Sequence, residues 1–348
     1  MMTGYKCIYC LQTKEETEFN REHVVPQMMG KYKNGFVLND FQVCKECNDY
    51  FSKQIEGKIA LDSFEAFLRM QYHDTPMSDG RKLNKNRIRL IGDEGIFKGI
   101  PFTVITDISS PYRVRFESEP MVGIINSVEK CEYDYYSLEE LPYADEEAIE
   151  RMKKSDQPII NTGIGRERLE PVLIDKGYLI GEYAYSEKSV LDLYEEPEFT
   201  TAIKMSIDPI MRRVCAKTVF NYLCYSKGKE FVLNSRFNEI RKYIRYGEWS
   251  DDLWFKYSKG PVSTVNMPNN TAHVVGYMWY PENGQWIFCG CLTWFGELTY
   301  IFSLGKTGNK VQKLNVLDST KMACFNNVDR TIIEDDAVHI YGGRPNSE

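Results

Sequence analysis

Two short cysteine motifs constrain this chain more than any other feature of its sequence. Cys7 and Cys10 form one C-x-x-C knuckle, and Cys44 and Cys47 form a second one. Each knuckle offers two thiolates from a tight turn, and a tetrahedral zinc ion bound to all four would close the loop between them. Core cysteines or a redox pair are the alternatives. Two knuckles so close together along the chain favour a structural zinc site.

The composition is that of an ordinary globular protein. The 348 residues are 43% hydrophobic and 27% charged, enough for two or three domains with buried cores. No apolar run is long enough to span a membrane, and residues 1–10 lack the apolar region of a signal peptide. We therefore expect a cytoplasmic protein without a membrane partner, whose reduced cysteines bind metal. The net charge of -7 means that a nucleic-acid partner needs a local basic patch.

The stretch around and between the knuckles carries the polar residues of chemical interest. Glu22 and His23 end a short apolar strand, after which a proline and a glycine turn the chain. Asn39 precedes the second knuckle, and Asn48 follows it directly. From residue 48 onward, apolar residues recur at helical spacing, which places Asn48 in the first turn of a helix.

This order of motifs resembles the zinc-knuckle branch of the HNH endonuclease family, over about residues 5–60. The shared pattern is C-x-x-C at 7 and 10, E-H-V-V-P at 22–26, Asn39, and C-x-x-C-N at 44–48. The resemblance implies a ββα-metal fold, in which a β-hairpin and a helix surround a catalytic metal ion. Many relatives have Asp in place of Glu22 and His in place of Asn48. Without that imidazole, Mg²⁺ or Mn²⁺ is favoured over a transition metal.

The resemblance also implies a role for each polar residue. His23 would be the general base. Glu22 and Asn48 would hold the catalytic divalent ion, and Asn39 would brace the loop that orients the His23 ring. Phosphodiester hydrolysis suits these types, because a near-neutral imidazole can take a proton from water and an ion with open positions can neutralise the phosphate. Adjacent strand residues point to opposite faces, so Glu22 and His23 can act together only at a distorted strand or a strand edge.

Each of these residues also has an ordinary structural explanation. His23 can be a structural histidine, and Glu22 can form a solvated ion pair with Arg21. Asn48 can cap a helix, and Asn39 can belong to a turn. The fixed order of the motifs favours the catalytic interpretation.

The remaining sequence predicts an α+β protein, in which an HNH module of residues 1–75 precedes a larger, mixed, β-rich α+β domain of residues 76–348. Residues 87–135 alternate between apolar and polar side chains, as the strands of an antiparallel sheet do. The pair Asn283 and Gly284 predicts a tight hairpin turn between two further strands. Three tryptophans near this hairpin are expected in the core rather than on a base-stacking surface: Trp279, Trp286 and Trp294.

The only basic stretch of the chain lies in the predicted second domain. Residues 204–246 carry ten Lys and Arg against three Asp and Glu. One helix is expected to begin at Asp208 and to end at Gly228. A second covers about residues 235–246. Its apolar face comprises Phe237, Ile240 and Ile244, and its opposite, basic face is a candidate for contacts with nucleic-acid phosphates through Arg241, Lys242 and Arg245. A solvated face is the alternative.

These observations predict a metal-dependent endonuclease that hydrolyses phosphodiester bonds of DNA, with RNA as the less favoured substrate. Restriction or anti-phage defence is the expected setting, and the second domain would choose the target. The alternative is a defence effector whose C-terminal domain is a sensor and which is inactive until a ligand or partner binds. A homo-oligomer or a protein partner fits either hypothesis. A zinc scaffold that only binds nucleic acid is disfavoured by the intact Glu22, His23 and Asn48.

Overall fold

The computed structural model gives the fold of most of the chain. The residues that the structure describes are 4–60, 62–72, 79–83, 88–111, 113–127, 129–130, 132–144, 146–154, 159–177, 200–261, 268, 270–282, 285–305 and 320–335. The described residues form two compact units. One unit combines the described parts of residues 1–61, 65–76 and 207–348, and the other combines those of 62–64 and 77–206.

The strands are mostly short near the N-terminus and longest between residues 271 and 303. In chain order they are β1 (Tyr5–Lys6), β2 (Thr13–Lys14), β3 (Glu22–His23), β4 (Val37–Leu38), β5 (Ile88–Gly92), β6 (Pro101–Thr106), β7 (Val114–Ser118), β8 (Val122–Ser127), β9 (Glu132–Tyr136), β10 (Ile159–Asn161), β11 (Thr201–Met205), β12 (Phe255–Lys259), β13 (Thr271–Glu282), β14 (Gln285–Trp294), β15 (Leu298–Ser303), β16 (Lys321–Asn326) and β17 (Ile332–Asp335).

The helices fall into three groups along the chain. They are α1 (Lys45–Tyr50), α2 (Gly57–Ile59), α3 (Phe64–Tyr72), α4 (Glu146–Lys154), α5 (Arg166–Asp175), α6 (Pro209–Lys227), α7 (Lys229–Val232) and α8 (Asn238–Tyr246). A π-helical segment, Phe51–Glu56, joins α1 to α2. A Cβ added at Gly57 would lie only 2.9 Å from the Ser52 carbonyl oxygen, so a glycine suits the end of this wide turn.

The first unit contains the whole of the cysteine-rich region together with the C-terminal part of the chain. Its largest sheet is antiparallel and has the order β12-β15-β14-β13-β16-β17. The helix α6 packs against β13 and β14. Two small hairpins, β1-β2 and β3-β4, complete the unit, and β3 pairs with β4 through Glu22 opposite Leu38 and His23 opposite Val37. Hairpin β3-β4 followed by α1 is the expected ββα arrangement.

The second unit contains two antiparallel sheets, with the strand orders β11-β5-β6-β7 and β10-β8-β9. The helix α4 packs on β8, and α5 contributes Leu169 to the same core as Val122 and Ile124. The chain is therefore a mixed α+β protein with small N-terminal strands and a larger β-rich part, as the sequence predicts. The division into functional domains at residues 75 and 76 stays a prediction, whereas the packing groups residues 207–348 with the N-terminal region.

The boundaries of α6 follow the capping chemistry that the sequence predicts. The Asp208 carboxylate accepts a hydrogen bond of 2.9 Å from the Met211 amide, and Pro209 occupies the first helical position. Gly228 ends the helix with φ at 87°, a conformation that glycine adopts at little cost. None of the described helices is long and apolar enough to cross a bilayer.

Several smaller predictions have mixed outcomes. Trp294 is buried, as predicted, and Trp279 packs against Phe288. The Trp286 side chain and the Asn283 and Gly284 turn lie outside the described residues, although β13 and β14 pair in antiparallel register up to Glu282 opposite Gln285. The helix predicted from residue 48 onward does not continue through the described residues 60, 62 and 63, which are not helical.

Candidate active site and zinc centre

The four knuckle cysteines converge at one point of the first unit. Their Sγ atoms all lie within 4.8 Å of one another, and Cys10 Sγ lies 3.8 Å from Cys44 Sγ. Tetrahedral zinc with Zn–S bonds of about 2.3 Å requires S···S distances of about 3.8 Å. The cluster therefore fits a structural zinc ion. Within the described ranges, no second group of three or more Cys, His, Asp or Glu has such a geometry.

Hydrogen-bond donors surround the sulfur atoms. The amides of Tyr9 and Cys44 each donate to Cys7 Sγ over 3.5 Å. The Arg245 Nε donates to Cys47 Sγ over 3.3 Å, and its guanidinium lies 4.1 Å from the centroid of the Tyr50 ring. A zinc ion with four thiolates carries a net negative charge, which these donors and the guanidinium offset.

The contacts of α8 correct the expectation of a common exposed basic face. Arg241 is only 2% exposed, and its guanidinium donates to the carbonyls of Ile8, over 2.6 Å, and Val232, over 2.5 Å. Together with the contact between Arg245 and Cys47, this means that α8 is packed on two sides. Its apolar side faces the core, and its basic side faces the knuckles. Two of the three predicted phosphate contacts are therefore engaged within the protein.

Lys242 is the exception on this helix. Its side chain is 52% exposed and pairs with Glu239 at 3.4 Å, one turn away on the same helix. A contact between Lys242 and nucleic acid stays a prediction.

A cavity of about 420 Å³ lies beside the short strand β3. Glu22, His23, Asn48 and Glu56 all line it. Because β3 has only two residues and the chain bends immediately after them, Glu22 and His23 reach the same cavity in spite of their alternation along the strand. The structure thus brings together three of the four polar residues that the sequence singles out.

Glu22 is buried and is held from one side. Its Oε1 accepts hydrogen bonds from the Lys217 ammonium and, over 3.0 Å, from Asn221 Nδ2, whereas no described residue donates to Oε2. This buried pair stands in place of the alternative, a solvated ion pair with Arg21. Burial raises the pKa of the Glu22 carboxyl, against the opposing effect of the Lys217 charge.

Lys217 also contacts Glu56, whose Oε1 lies 2.6 Å from Nζ. Burial tends to lower the pKa of Lys217, but Glu22 and Glu56 outweigh it, so the pKa is raised and the ammonium stays charged.

Asn48 is oriented by its own amide group. Its Nδ2 donates to the Arg21 carbonyl over 2.8 Å and to Asn20 Oδ1 over 2.9 Å. A backbone carbonyl can only accept, so this contact fixes which end of the Asn48 amide is nitrogen and leaves Oδ1 as the acceptor. Cys44 caps α1, and Asn48 lies one turn inside the helix. The alternative role of Asn48 as a helix cap is therefore not supported.

His23 is half-buried, and its Nε2 lies 2.5 Å from the Gln27 side-chain amide nitrogen. Among the described residues, Gln27 is the only hydrogen-bond partner of the ring, and because an amide nitrogen only donates, Nε2 is the acceptor of the neutral ring and Nδ1 carries its hydrogen. Burial lowers the pKa of His23, and the charges of Arg21 and Lys217 lower it further. The ring is therefore neutral at pH 7. Asn39 is exposed directly after β4, and its predicted bracing role stays a prediction.

A second cavity, of about 360 Å³, shares Arg21, His23 and Gln27 with the first. Beyond these shared residues its walls differ, because a cation and several aromatic rings replace the carboxylates. They include Lys31, Tyr32, Phe36 and Phe325. His23 therefore stands between an acidic cavity and a basic, aromatic one.

The comparison with known families agrees with this geometry. Residues 7–62 match the HNH endonuclease family. No curated protein matches the chain significantly, and neither does any solved structure. The matched region, called the HNH segment below, contains both knuckles and all four residues named for the first cavity. The match implies nuclease, and hence hydrolase, activity for this segment, with DNA as the implied substrate.

The first cavity also fits the catalytic ion that the family implies. Glu22 Oε2 and Asn48 Oδ1 are two oxygen atoms that receive no hydrogen bond from the described residues. Mg²⁺ and Mn²⁺ prefer carboxylate and amide oxygens, whereas zinc prefers the thiolates of the knuckles. The two sites therefore differ in the kind of metal that each would bind.

Four side chains at the site were missed by the sequence reasoning: Gln27, Glu56, Lys217 and Asn221. The last two lie on α6, about 195 residues from their partner Glu22. The sequence does contain one relevant pattern. Arg213, Lys217 and Asn221 are spaced four apart in a helix whose other stripe is apolar, and all three are buried.

Proposed function

We propose that the protein is a metal-dependent endonuclease that hydrolyses phosphodiester bonds of DNA. The observation that carries this proposal is the convergence of Glu22, His23 and Asn48 on one cavity within the HNH segment. In this proposal Glu22 and Asn48 hold Mg²⁺ or Mn²⁺, and the four cysteines hold structural zinc. When bound, the divalent ion supplies positive charge next to the scissile phosphate and the leaving oxygen.

His23 supplies the base in this proposal. A neutral ring takes one proton from a water molecule, the resulting hydroxide attacks the phosphorus, and the bond from phosphorus to the 3′ oxygen breaks as that oxygen leaves. The Gln27 amide nitrogen can only donate, so the ring Nε2 is the acceptor of the neutral ring and Nδ1 carries its hydrogen; a water molecule that replaces Gln27 at Nε2 gives up its proton there. The lowered pKa supports this role, because it keeps the ring neutral at physiological pH.

The path of the DNA backbone is proposed to cross the second cavity rather than α8. Arg21 and Lys31 supply two cations there, directly beside His23, in a module whose residues 1–74 carry in all only nine Lys and Arg against eleven Asp and Glu. Local cations are needed because phosphate contacts dominate the affinity of proteins for DNA. Phe36 offers an aromatic ring in the same cavity for contact with a base.

The experiment is cleavage of supercoiled plasmid by the full chain with Mg²⁺, compared between wild type and His23→Ala. Loss of a general base should slow cleavage by about 10²- to 10⁴-fold, while zinc content, fold and DNA affinity stay unchanged. Wild-type cutting by His23→Ala would remove this residue from the mechanism. A single-stranded RNA of matched length, tested in parallel, decides between DNA and RNA.

The biological setting that we propose is restriction or anti-phage defence. The second unit, built from residues that lie almost wholly outside the HNH segment, would choose the target or act as a sensor that keeps the nuclease inactive until a ligand or partner binds. Efficiency of plating of phages on cells that carry wild type or His23→Ala tests the setting. Cleavage by the purified wild type without any addition besides Mg²⁺ would favour the ungated enzyme over the sensor.

A further inference from the structure

The helix α6, which lies outside the HNH segment, supplies buried polar groups to the proposed nuclease site. Arg213, Lys217 and Asn221 form one stripe along it at four-residue spacing, so that they project from the same side of the helix. Arg213 donates to the Tyr50 hydroxyl over 2.7 Å, and the other two contact Glu22. A buried polar stripe is costly unless it is fully paired, and here every member has a partner in the HNH segment.

Asn221 links three parts of the HNH segment. It is fully buried, and its Oδ1 accepts a hydrogen bond of 2.5 Å from the hydroxyl of Tyr9, which lies inside the first knuckle. Its Nδ2 donates to Glu22 Oε1 over 3.0 Å and to the His23 carbonyl over 3.2 Å. One amide group thus connects the zinc knuckle, a proposed metal ligand and the main chain of the proposed base.

Lys217 acts on the same carboxylate oxygen. Its side chain is 1% exposed, and its ammonium lies between Glu22 and Glu56. Two carboxylates and one ammonium sum to a charge of -1, which still attracts a divalent cation. Because Lys217 and Asn221 both bind Oε1, they fix the carboxylate by one oxygen and leave Oε2 without a described donor.

We propose that Lys217 and Asn221 are positioning residues of the nuclease site. They hold Glu22 by one oxygen, and hold the main chain at His23, so that the other Glu22 oxygen is presented to a divalent cation. This inference rests on the proposed function. It adds that the HNH segment is not a self-sufficient nuclease, because both described side chains that hold its metal ligand Glu22 come from α6.

The test is the affinity of the full-length, zinc-loaded protein for Mn²⁺, measured by electron paramagnetic resonance without DNA. Groups that orient a metal ligand typically contribute 10- to 100-fold to metal affinity. Asn221→Ala should therefore weaken Mn²⁺ binding by about that factor and lower kcat, with DNA affinity unchanged. Thr218→Val is the matched control. Thr218 is buried on the same helix, and among the described residues its hydroxyl bonds only to the Val214 carbonyl, so this variant should bind Mn²⁺ as wild type does.

Lys217→Met gives a second, sharper measurement. If the ammonium positions Glu22, Mn²⁺ affinity falls in this variant. If Mn²⁺ instead binds more tightly, the ammonium merely opposes the ion, and the positioning role of Lys217 is wrong. Should Lys217→Met fail to fold, Asn221→Ala decides the question, because it changes no charge.

Glu22→Gln separates this inference from the proposed function. If wild type and Glu22→Gln bind Mn²⁺ equally, the proposed metal site itself is wrong. If Glu22→Gln loses Mn²⁺ while Asn221→Ala retains wild-type affinity, only the positioning inference is overturned.

Discussion

The zinc centre and the cavity beside β3 lie in the same HNH segment, and both receive support from helices beyond residue 207. At the zinc centre, Arg241 and Arg245 of α8 bind the knuckles, and all four sulfur atoms face one another. At the cavity, Lys217 and Asn221 of α6 bind only one oxygen of Glu22. The zinc centre is a closed site, enclosed by its four sulfur ligands. The cavity is instead an open site that contains two oxygen acceptors, Glu22 Oε2 and Asn48 Oδ1, to which no described residue donates. This is the difference between a structural metal site and a catalytic one.

The largest expected effect concerns the closed site. Cys44→Ser should lose zinc and soluble folded protein together, because binding of structural zinc contributes on the order of 10 kcal/mol to folding. The matched control is Cys289→Ser, which changes a buried cysteine outside the cluster and should retain about one zinc per chain by elemental analysis. Soluble, zinc-free Cys44→Ser that still cuts DNA would contradict a structural zinc site.

The second prediction compares two neighbours on α8. Arg241→Met leaves the carbonyls of Ile8 and Val232 without a donor, which should cost about 3 kcal/mol and lower the thermal midpoint by roughly 5–10 °C. Lys242→Met should change the free energy of unfolding by less than about 0.5 kcal/mol, because that side chain is exposed. Thermal unfolding of both variants measures this contrast. Equal midpoints would mean that the basic side of α8 does not support the knuckles.

The third prediction moves from stability to substrate binding. In the double variant Arg21→Glu with Lys31→Glu, two proposed phosphate contacts are lost. The slope of log K for DNA binding against log salt concentration should therefore become smaller by about two. Lys53→Glu with Lys58→Glu has the same change of charge in the same segment, but neither residue lines either of the two cavities described above. Titrations at several salt concentrations compare the two. If both double variants change the slope equally, the net charge of the protein explains DNA binding, and the second cavity has no specific role.

The smallest expected effect is on pH dependence. His23 must be neutral to accept a proton, and its pKa is lowered from its usual 6.5 by burial and by the charges of Arg21 and Lys217. Activity should therefore be constant at neutral pH and fall only as the pH drops through a value below 6.5. A pH profile of kcat/KM measures this midpoint. A midpoint above 6.5 would contradict a neutral, partly buried base.

The same contrast explains what the sequence could predict. The knuckles, Glu22, His23 and Asn48 lie within about forty residues and follow a fixed order of motifs, so local reasoning finds them. The limits of α6 follow from Asp208 and Gly228, because capping is local chemistry.

The supports of the site could not be found in this way. Lys217, Asn221 and Arg241 have partners about 200 residues distant in sequence, and helical periodicity treats a polar residue as exposed. The apolar face of α8 was predicted correctly, since Phe237, Ile240 and Ile244 are all buried. The exposed basic face predicted on the opposite side was wrong for Arg241 and Arg245, because that side of the helix also packs against the protein. A polar stripe at four-residue spacing beside an apolar one is therefore worth considering as a second packing surface.

The comparison between the closed and the open site can be tested on wild-type protein in one measurement. The full chain is treated briefly with EDTA and desalted, and both its zinc content and its plasmid cleavage are then determined with and without added Mg²⁺. Our account predicts that about one zinc per chain is retained, that cleavage is absent, and that Mg²⁺ restores it. Cleavage that persists with zinc as the only metal present would contradict the account, because the ion in the knuckles would then suffice.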